Sequence, residues 1–325
     1  MKTPYTLVVA LLLFCAALVL RADLGFDAPV LAASERLAPE WQVSNDWINS
    51  NPLRLSDLRG KVVLIDFWTY SCINCLRTIP YLNKWYSQYE DRGLVIVGIH
   101  TPEFGFEGNR VNVDDAVKRF GITFPVAQDN NFATWKRYEN FAWPGFYLID
   151  QQGRIVFTRY GEGEYDRTEN RIRQLLGIDG EVAQEDGADL SRVRTPEMYF
   201  GTEHESHQSV RQKPGAGPKT YEIPRALGNI EFALSGTWAR TAECASLVSD
   251  NGAIALRFNA AKVHLVAGSA APTELIVRVD GGTPRRVPVE RPQLYTLYDG
   301  TDYGEHTLEI EVPMRGFDAY SFTFG

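Results

Sequence analysis

The chain has 325 residues, a formal net charge of −8 from 33 basic and 41 acidic side chains, and 44% hydrophobic residues. That is length for about two domains, each able to bury a core. The basic residues are scattered without clusters, which argues against nucleic acid as a partner, and the mild acidity reads as solubility.

The N-terminus reads MKTPYTLVVALLLFCAALVLRAD. One lysine precedes an uncharged apolar run from Leu7 to Leu20, the pattern of a secretory signal or a short membrane anchor. Arg21 ends the run with no small-x-small cleavage site directly behind it, and Val30-Leu31-Ala32 lies ten residues downstream. Residues 1–22 are therefore read as an uncleaved anchor in preference to a cleaved signal, and residues 23–38 as a tether. Phe14 stands where a lipoprotein signal needs a small residue, so Cys15 is an apolar filler. Either way the body is exported, membrane-anchored or periplasmic, where disulfide chemistry is available.

The first domain is placed at 39–178, and its organising stretch is KVVLIDFWTYSCINC, Lys61 to Cys75. Val62–Trp68 has the composition of a strand buried on both faces. A helix follows to Glu90, with Leu76, Ile79, Leu82 and Tyr86 on one apolar stripe, closed by Gly93. Cys72 then stands at the first helical turn, where the exposed N–H groups and the macrodipole stabilise a thiolate. Cys75, one turn further in, is close enough to form a disulfide with it. Zinc would need two more ligands, and the remaining cysteines, Cys15 and Cys244, lie in unrelated contexts; no metal is expected there.

Leu94–His100 reads as a second buried strand. Val113–Phe120 reads as a short helix capped by Asn112 or Asp114, and Phe124–Ala127 as extended. Phe132–Tyr138 is a helical turn or two, Phe146–Ile149 and Ile155–Arg159 form a hairpin, and Thr168–Leu176 closes the domain. His100, Glu103 and Glu107 follow the second strand in HTPEFGFE, and Glu162 and Glu164 flank Gly163. Of these, His100 and Glu103 are the candidates for the active face, since open α/β sheets place sites at strand C-terminal ends.

The pattern D-F-W-x-x-x-C-x-x-C, with Pro80 five residues after the second cysteine, resembles the active site of the thioredoxin-like superfamily. The order β-α-β-α-β-β-α and the segment from His100 to Phe141 resemble the TlpA/ResA-type redoxins. WTYSCINC, HTPEF, AQDNN and GEGEYD resemble the extracytoplasmic part of DipZ-type proteins, in which a redoxin is followed by a small carbohydrate-module-like sandwich. The resemblance implies that Cys72 attacks, Cys75 resolves, and Asp66 is the buried carboxylate that moves protons to and from the resolving thiol. It also implies a cis-proline at Pro144 facing the cysteines, with Trp143 at a strand edge that docks client protein. Trp68 and Ser71 beside the motif are further candidate client contacts. Ile73-Asn74 and Ser71 depart from the family's usual residues and leave the redox potential open. DipZ-type proteins also carry a CcdA-like membrane domain, so a separate membrane electron donor of that type is an expected partner.

Residues 179–222 are rich in Asp, Glu, Gly, Ser and Pro and read as a linker or strap. His204 and His207 with Glu203 and Glu205 fall in it, without a rigid frame for a metal. From 223 to 325 helix periodicity vanishes, and seven short alternating segments argue for an antiparallel sandwich of jelly-roll type. Trp238, Tyr295, Tyr298 and Tyr320 are its candidates for a glycan-binding platform, or simply core. Cys244 is read as a buried small hydrophobe.

The expected fold class is thus a thioredoxin α/β domain followed by an all-β sandwich. The expected activity is an exported thiol-disulfide oxidoreductase that reduces client proteins, with apocytochrome c or other exported thiol proteins as clients and no cofactor beyond the Cys72–Cys75 disulfide. Two alternatives stand beside it. One is a peroxiredoxin-type thiol peroxidase, against which the missing Pro-x-x-x-Thr-x-x-Cys counts. The other is a non-enzymatic copper-handling or wall-binding adaptor, against which the two-residue cysteine spacing counts.

Overall fold

The computed structural model describes residues 36–183, 187–203, 208–209, 212 and 217–325. The anchor, most of the tether, Cys15 and the His204–His207 group lie outside the described residues. Among the described residues no helix is long and apolar enough to cross a membrane.

The first domain has a five-stranded sheet built from β1 (Val62–Trp68), β2 (Leu94–His100), β3 (Val126–Gln128), β4 (Gly145–Ile149) and β5 (Ile155–Tyr160). Its order is β3-β2-β1-β4-β5, with β1, β2 and β3 parallel and β4 and β5 antiparallel. Every residue of the central strand β1 is buried, because both faces are covered. Its period-two alternation sends Val62, Leu64 and Trp68 to the core under helix α1 (Ile73–Tyr89). Val63, Ile65 and Phe67 go to the opposite core, with Trp41, Trp47 and Tyr147. Asp66 falls on the α1 side by the same alternation. That one register step puts a carboxyl among apolar side chains.

Helix α2 (Arg110–Arg119) begins earlier than the periodicity predicts, because the Asn109 side chain accepts from the Val111 N–H at 2.9 Å and caps it. The expected caps, Asn112 and Asp114, lie inside the helix. Helix α3 (Ala133–Arg137) is held by Asp129, whose carboxylate accepts from the N–H groups of Ala133, Thr134 and Trp135. Helix α4 (Tyr165–Leu175) closes the domain.

The second domain is an antiparallel sandwich. The 198–221 region, expected as linker, supplies two of its strands, β6 (Met198–Tyr199) on β16 and β7 (Gly217–Tyr221) on β8. Met198 and Phe200 are fully buried in its core, so the sandwich starts upstream of residue 223. The remaining strands are β8 (Glu231–Arg240), β9 (Ala245–Leu247), β10 (Gly252–Asn259), β11 (Lys262–Ser269), β12 (Thr273–Val279), β13 (Arg285–Val289), β14 (Gln293–Asp299), β15 (Glu305–Val312) and β16 (Phe317–Phe324). One sheet runs β13-β12-β15-β10-β8 and the other runs β8-β9-β16-β11-β14, so β8 belongs to both. Its first half pairs with β10 and its second with β7 and β9. The corner falls at Gly236, with φ +93°, where a Cβ would stand 2.8 Å from the Asn251 carbonyl oxygen. Replacing Gly236 with alanine adds both a left-handed strain and a clash with backbone. Gly236→Ala is expected to lower the stability of the sandwich by about 2 kcal/mol or more, read as a shift of its urea midpoint.

The sandwich packs on the loop after β2. Phe104 and Phe106 meet Tyr320 of β16 at 5.1 and 4.7 Å between ring centroids, the first tilted and the second edge-on, beside Cys244 and Val266. Around them the Gly105 N–H donates to Glu243 at 2.9 Å, Tyr199 donates to Glu103 at 2.8 Å, and Arg291 pairs with Asp115 at 2.6 Å.

Candidate active site

Cys72 is the N-cap of α1 and is half-buried, whereas Cys75, in the first turn, is buried. Both are free thiols. Cys72 Sγ lies 4.0 Å from the carbonyl oxygen of Trp143. The Trp143–Pro144 bond is cis. Cys72 stands half-exposed at the helix start, while enclosure holds the second thiol in its protonated form. Burial comes first in raising the Cys75 thiol well above its ordinary value, followed by the neighbouring Cys72 and the charge of Asp66.

Asp66 lies beneath them on β1, 2% exposed. Burial alone lifts its carboxyl from 3.8 to about 8, and its Oδ1 has no hydrogen-bond partner. Since it also contributes to the shift of Cys75, the two groups sit within electrostatic reach of each other. The site therefore holds a half-exposed thiol, a buried thiol and a buried carboxyl that binds a proton near neutral pH.

Trp143 forms the wall beside Cys72. It packs at a tilt on Trp135 at 4.3 Å and its Nε1 donates to the Thr101 carbonyl at 3.0 Å. Phe141, 70% exposed, leans on Tyr160 at 4.1 Å in the same loop. On the other flank, Arg77 of α1 makes paired bonds to Glu162 at 3.1 and 2.9 Å from its Nε.

Several candidates are placed differently from expectation. Trp68 and Ser71 are buried and present no surface to a client, Trp68 in the core beneath α1 and Ser71 against Glu107 of the 103–108 loop. Ser71 instead donates to Glu107. His100 is completely enclosed, with Thr69 Oγ1 3.4 Å from its Nε2, Tyr70 stacked on it and Trp68 edge-on. Burial drives its pKa down to about 3, so it stays neutral. Glu103 faces Tyr199 of the sandwich, not the thiols. In the sandwich, Trp238, Tyr295 and Tyr320 are buried and Tyr298 is half-buried against Phe258 and His306; none of the four forms an exposed platform. The sequence names Glu107 after the second strand but does not single it out for the active face, since its partner Ser71 stands 36 residues upstream. Its only local sign is a second glutamate four residues after Glu103 in HTPEFGFE.

This sheet order, with the thiol pair at the start of α1, is a thioredoxin-like fold. Residues 35–158 match the AhpC/TSA family, and residues 195–325 match the family described as thioredoxin like C-terminal domain. Protein DipZ of Mycobacterium bovis is 37% identical over 300 residues, 89% of this chain and 43% of DipZ. The thiol-disulfide oxidoreductase ResA of Bacillus cereus is 28% identical over 173 residues, 52% of this chain and 94% of ResA. A solved thiol-disulfide isomerase from Corynebacterium glutamicum matches at 24% identity and a TM-score of 0.39, covering 44% of this chain and 98% of that one. The chain is thus similar to proteins named as thiol-disulfide oxidoreductases, and it spans less than half the length of the DipZ relatives it matches.

The Asp66 carboxyl has a folded-state pKa above its unfolded one, so its contribution to stability is fully present below about pH 4 and is lost as pH rises toward 8. Asp66→Asn removes that loss. The variant is expected to be more stable than the parent at pH 7 by up to about 4 kcal/mol, with the gap closing at pH 4. Denaturant unfolding across pH 4–8 measures it, and a gap that does not change with pH would contradict a buried, protonated Asp66.

Proposed function

We propose that the chain is an exported thiol-disulfide oxidoreductase that reduces disulfides of extracytoplasmic proteins. The observation that carries the reading is the half-exposed Cys72 at the start of α1, set against the Trp143 carbonyl and backed by buried Cys75 and Asp66. Export rests on the apolar N-terminal run, and the reducing direction on the likeness to ResA. No observation favours the peroxidase or the adaptor reading.

In this mechanism the Cys72 thiolate attacks one sulfur of a client disulfide, and the other client sulfur leaves as a thiolate and takes a proton. Asp66, once ionised, accepts the proton of Cys75, and the Cys75 thiolate attacks Cys72 Sγ. The second client sulfur leaves and is protonated. The client has gained two electrons and two protons, and the chain holds a Cys72–Cys75 disulfide. A membrane donor of the CcdA type, or another dithiol, returns it to the reduced state.

Resolution is expected to accelerate as pH approaches 8, where Asp66 ionises, and to lose that dependence in Asp66→Asn. Cys72→Ser abolishes client reduction, while Cys75→Ser accumulates a mixed disulfide visible on non-reducing gels. The reduction potential of the pair decides direction. A value near roughly −270 mV supports reduction of clients, and one near roughly −120 mV turns the reading toward disulfide formation.

A further inference from the structure

Glu107 is fully buried behind the active-site loop and takes no part in the thiol chemistry above. One carboxylate oxygen accepts from Ser71, from its N–H at 3.3 Å and its Oγ at 2.5 Å. The other accepts from the N–H groups of Glu103 at 2.6 Å and Phe104 at 2.8 Å. Four donors from two loops converge on it. Ser71 is the residue before Cys72, and residues 103–106 are the ones on which the sandwich sits through Tyr320, Tyr199 and Glu243.

We infer that Glu107 is a positioning residue for Cys72, and that the seating of the sandwich on the 103–106 loop reaches the thiol through it. The inference rests on Cys72 being the nucleophile. Only a carboxylate can accept on both sides of this junction, since an amide offers one oxygen and turns an NH2 group toward the other pair of donors. Losing either pair frees Ser71 from the 103–104 backbone. The first turn of α1, which Cys72 opens as N-cap, then loses its fixed approach. A glutamate that merely caps its own turn would affect stability and leave the chemistry of Cys72 alone.

The test is the rate of Cys72 alkylation by iodoacetamide as a function of pH in the full chain, read peptide by peptide by mass spectrometry. Parent, Glu107→Gln, Tyr320→Ala and the double variant are compared. Glu107→Gln is expected to change the Cys72 rate at pH 7 by about three-fold or more and to displace its pH midpoint. Tyr320→Ala is expected to move it in the same direction. The double variant should move no further than the larger single one, because both act through one path. A Glu107→Gln variant that melts earlier but keeps the parent's pH profile overturns the inference. So do single effects that multiply in the double variant. Should Glu107→Gln fail to fold, Ser71→Ala removes only the Oγ bond, and it must shift the profile in the same direction for the inference to stand. These failures leave the redox reading intact. Alkylation of Cys72 no faster than that of buried Cys244 overturns the redox reading and the inference together.

Discussion

A carboxyl enclosed in apolar surroundings without a counter-charge is the constraint on which the redox site depends. β1 is buried on both faces, and its alternation leaves Asp66 no direction but the core beneath α1. With no partner for Oδ1, the cheapest state is the neutral acid. Cys75 meets the same enclosure and is likewise held protonated. Two neighbouring groups that each resist ionisation can pass one proton between them at little change in buried charge. Cys72, half-exposed at the helix start, meets no such enclosure. In the proposed reaction the division between attacking and resolving thiol follows from depth below the surface.

The second constraint is the aromatic seam between the domains. Phe104, Phe106 and Tyr320 form a compact cluster whose rim is polar, with Glu103–Tyr199, Gly105–Glu243 and Asp115–Arg291 around it. Aromatic pairs of this geometry contribute about 0.5–1.5 kcal/mol each beyond their buried area. The polar rim fixes orientation more than it adds stability, since such half-exposed pairs are worth about 1 kcal/mol or less. Tyr320, legible from sequence as either a glycan platform or core, is core, in the cluster shared by the two domains. It is the anchor of the seam.

What the sequence shows and hides follows the range of the forces involved. The strand Val62–Trp68, the helix after Cys75 and the order of elements are written in local periodicity, and the two-thiol motif needs only two neighbouring turns. The likeness of DFWTYSCINC to the thioredoxin-like superfamily pointed to Asp66 as a buried carboxylate, and alternation along β1 places it in the core. The strands at Met198–Tyr199 and Gly217–Tyr221 escape notice because they are short edge strands in Gly- and Pro-rich sequence, too brief for an alternating pattern to develop. The burial of Ser71 against Glu107, of Trp68 beneath α1 and of His100 between Trp68 and Tyr70 comes from contacts between distant segments, which no local pattern encodes. Glu107 is hidden for the same reason, since a buried carboxylate is recognised by donors that arrive from elsewhere in the chain.

Strand order explains how a docked domain leaves the thiol open. β1, which leads into Cys72, lies between β2 and β4. The loop after β2 carries the sandwich, and the loop before β4 carries Phe141, Trp143 and Pro144. The two loops thus flank the thiol pair from opposite sides of β1. One side is occupied by the aromatic seam, and the other keeps an exposed phenylalanine and the Trp143 carbonyl facing Cys72. In the proposed reaction a client strand has only the β4 side on which to pair its backbone. The same partition assigns the side chains their work. Glu107 and its donors can be fully committed to holding Ser71, because their side of the site never has to open for a client.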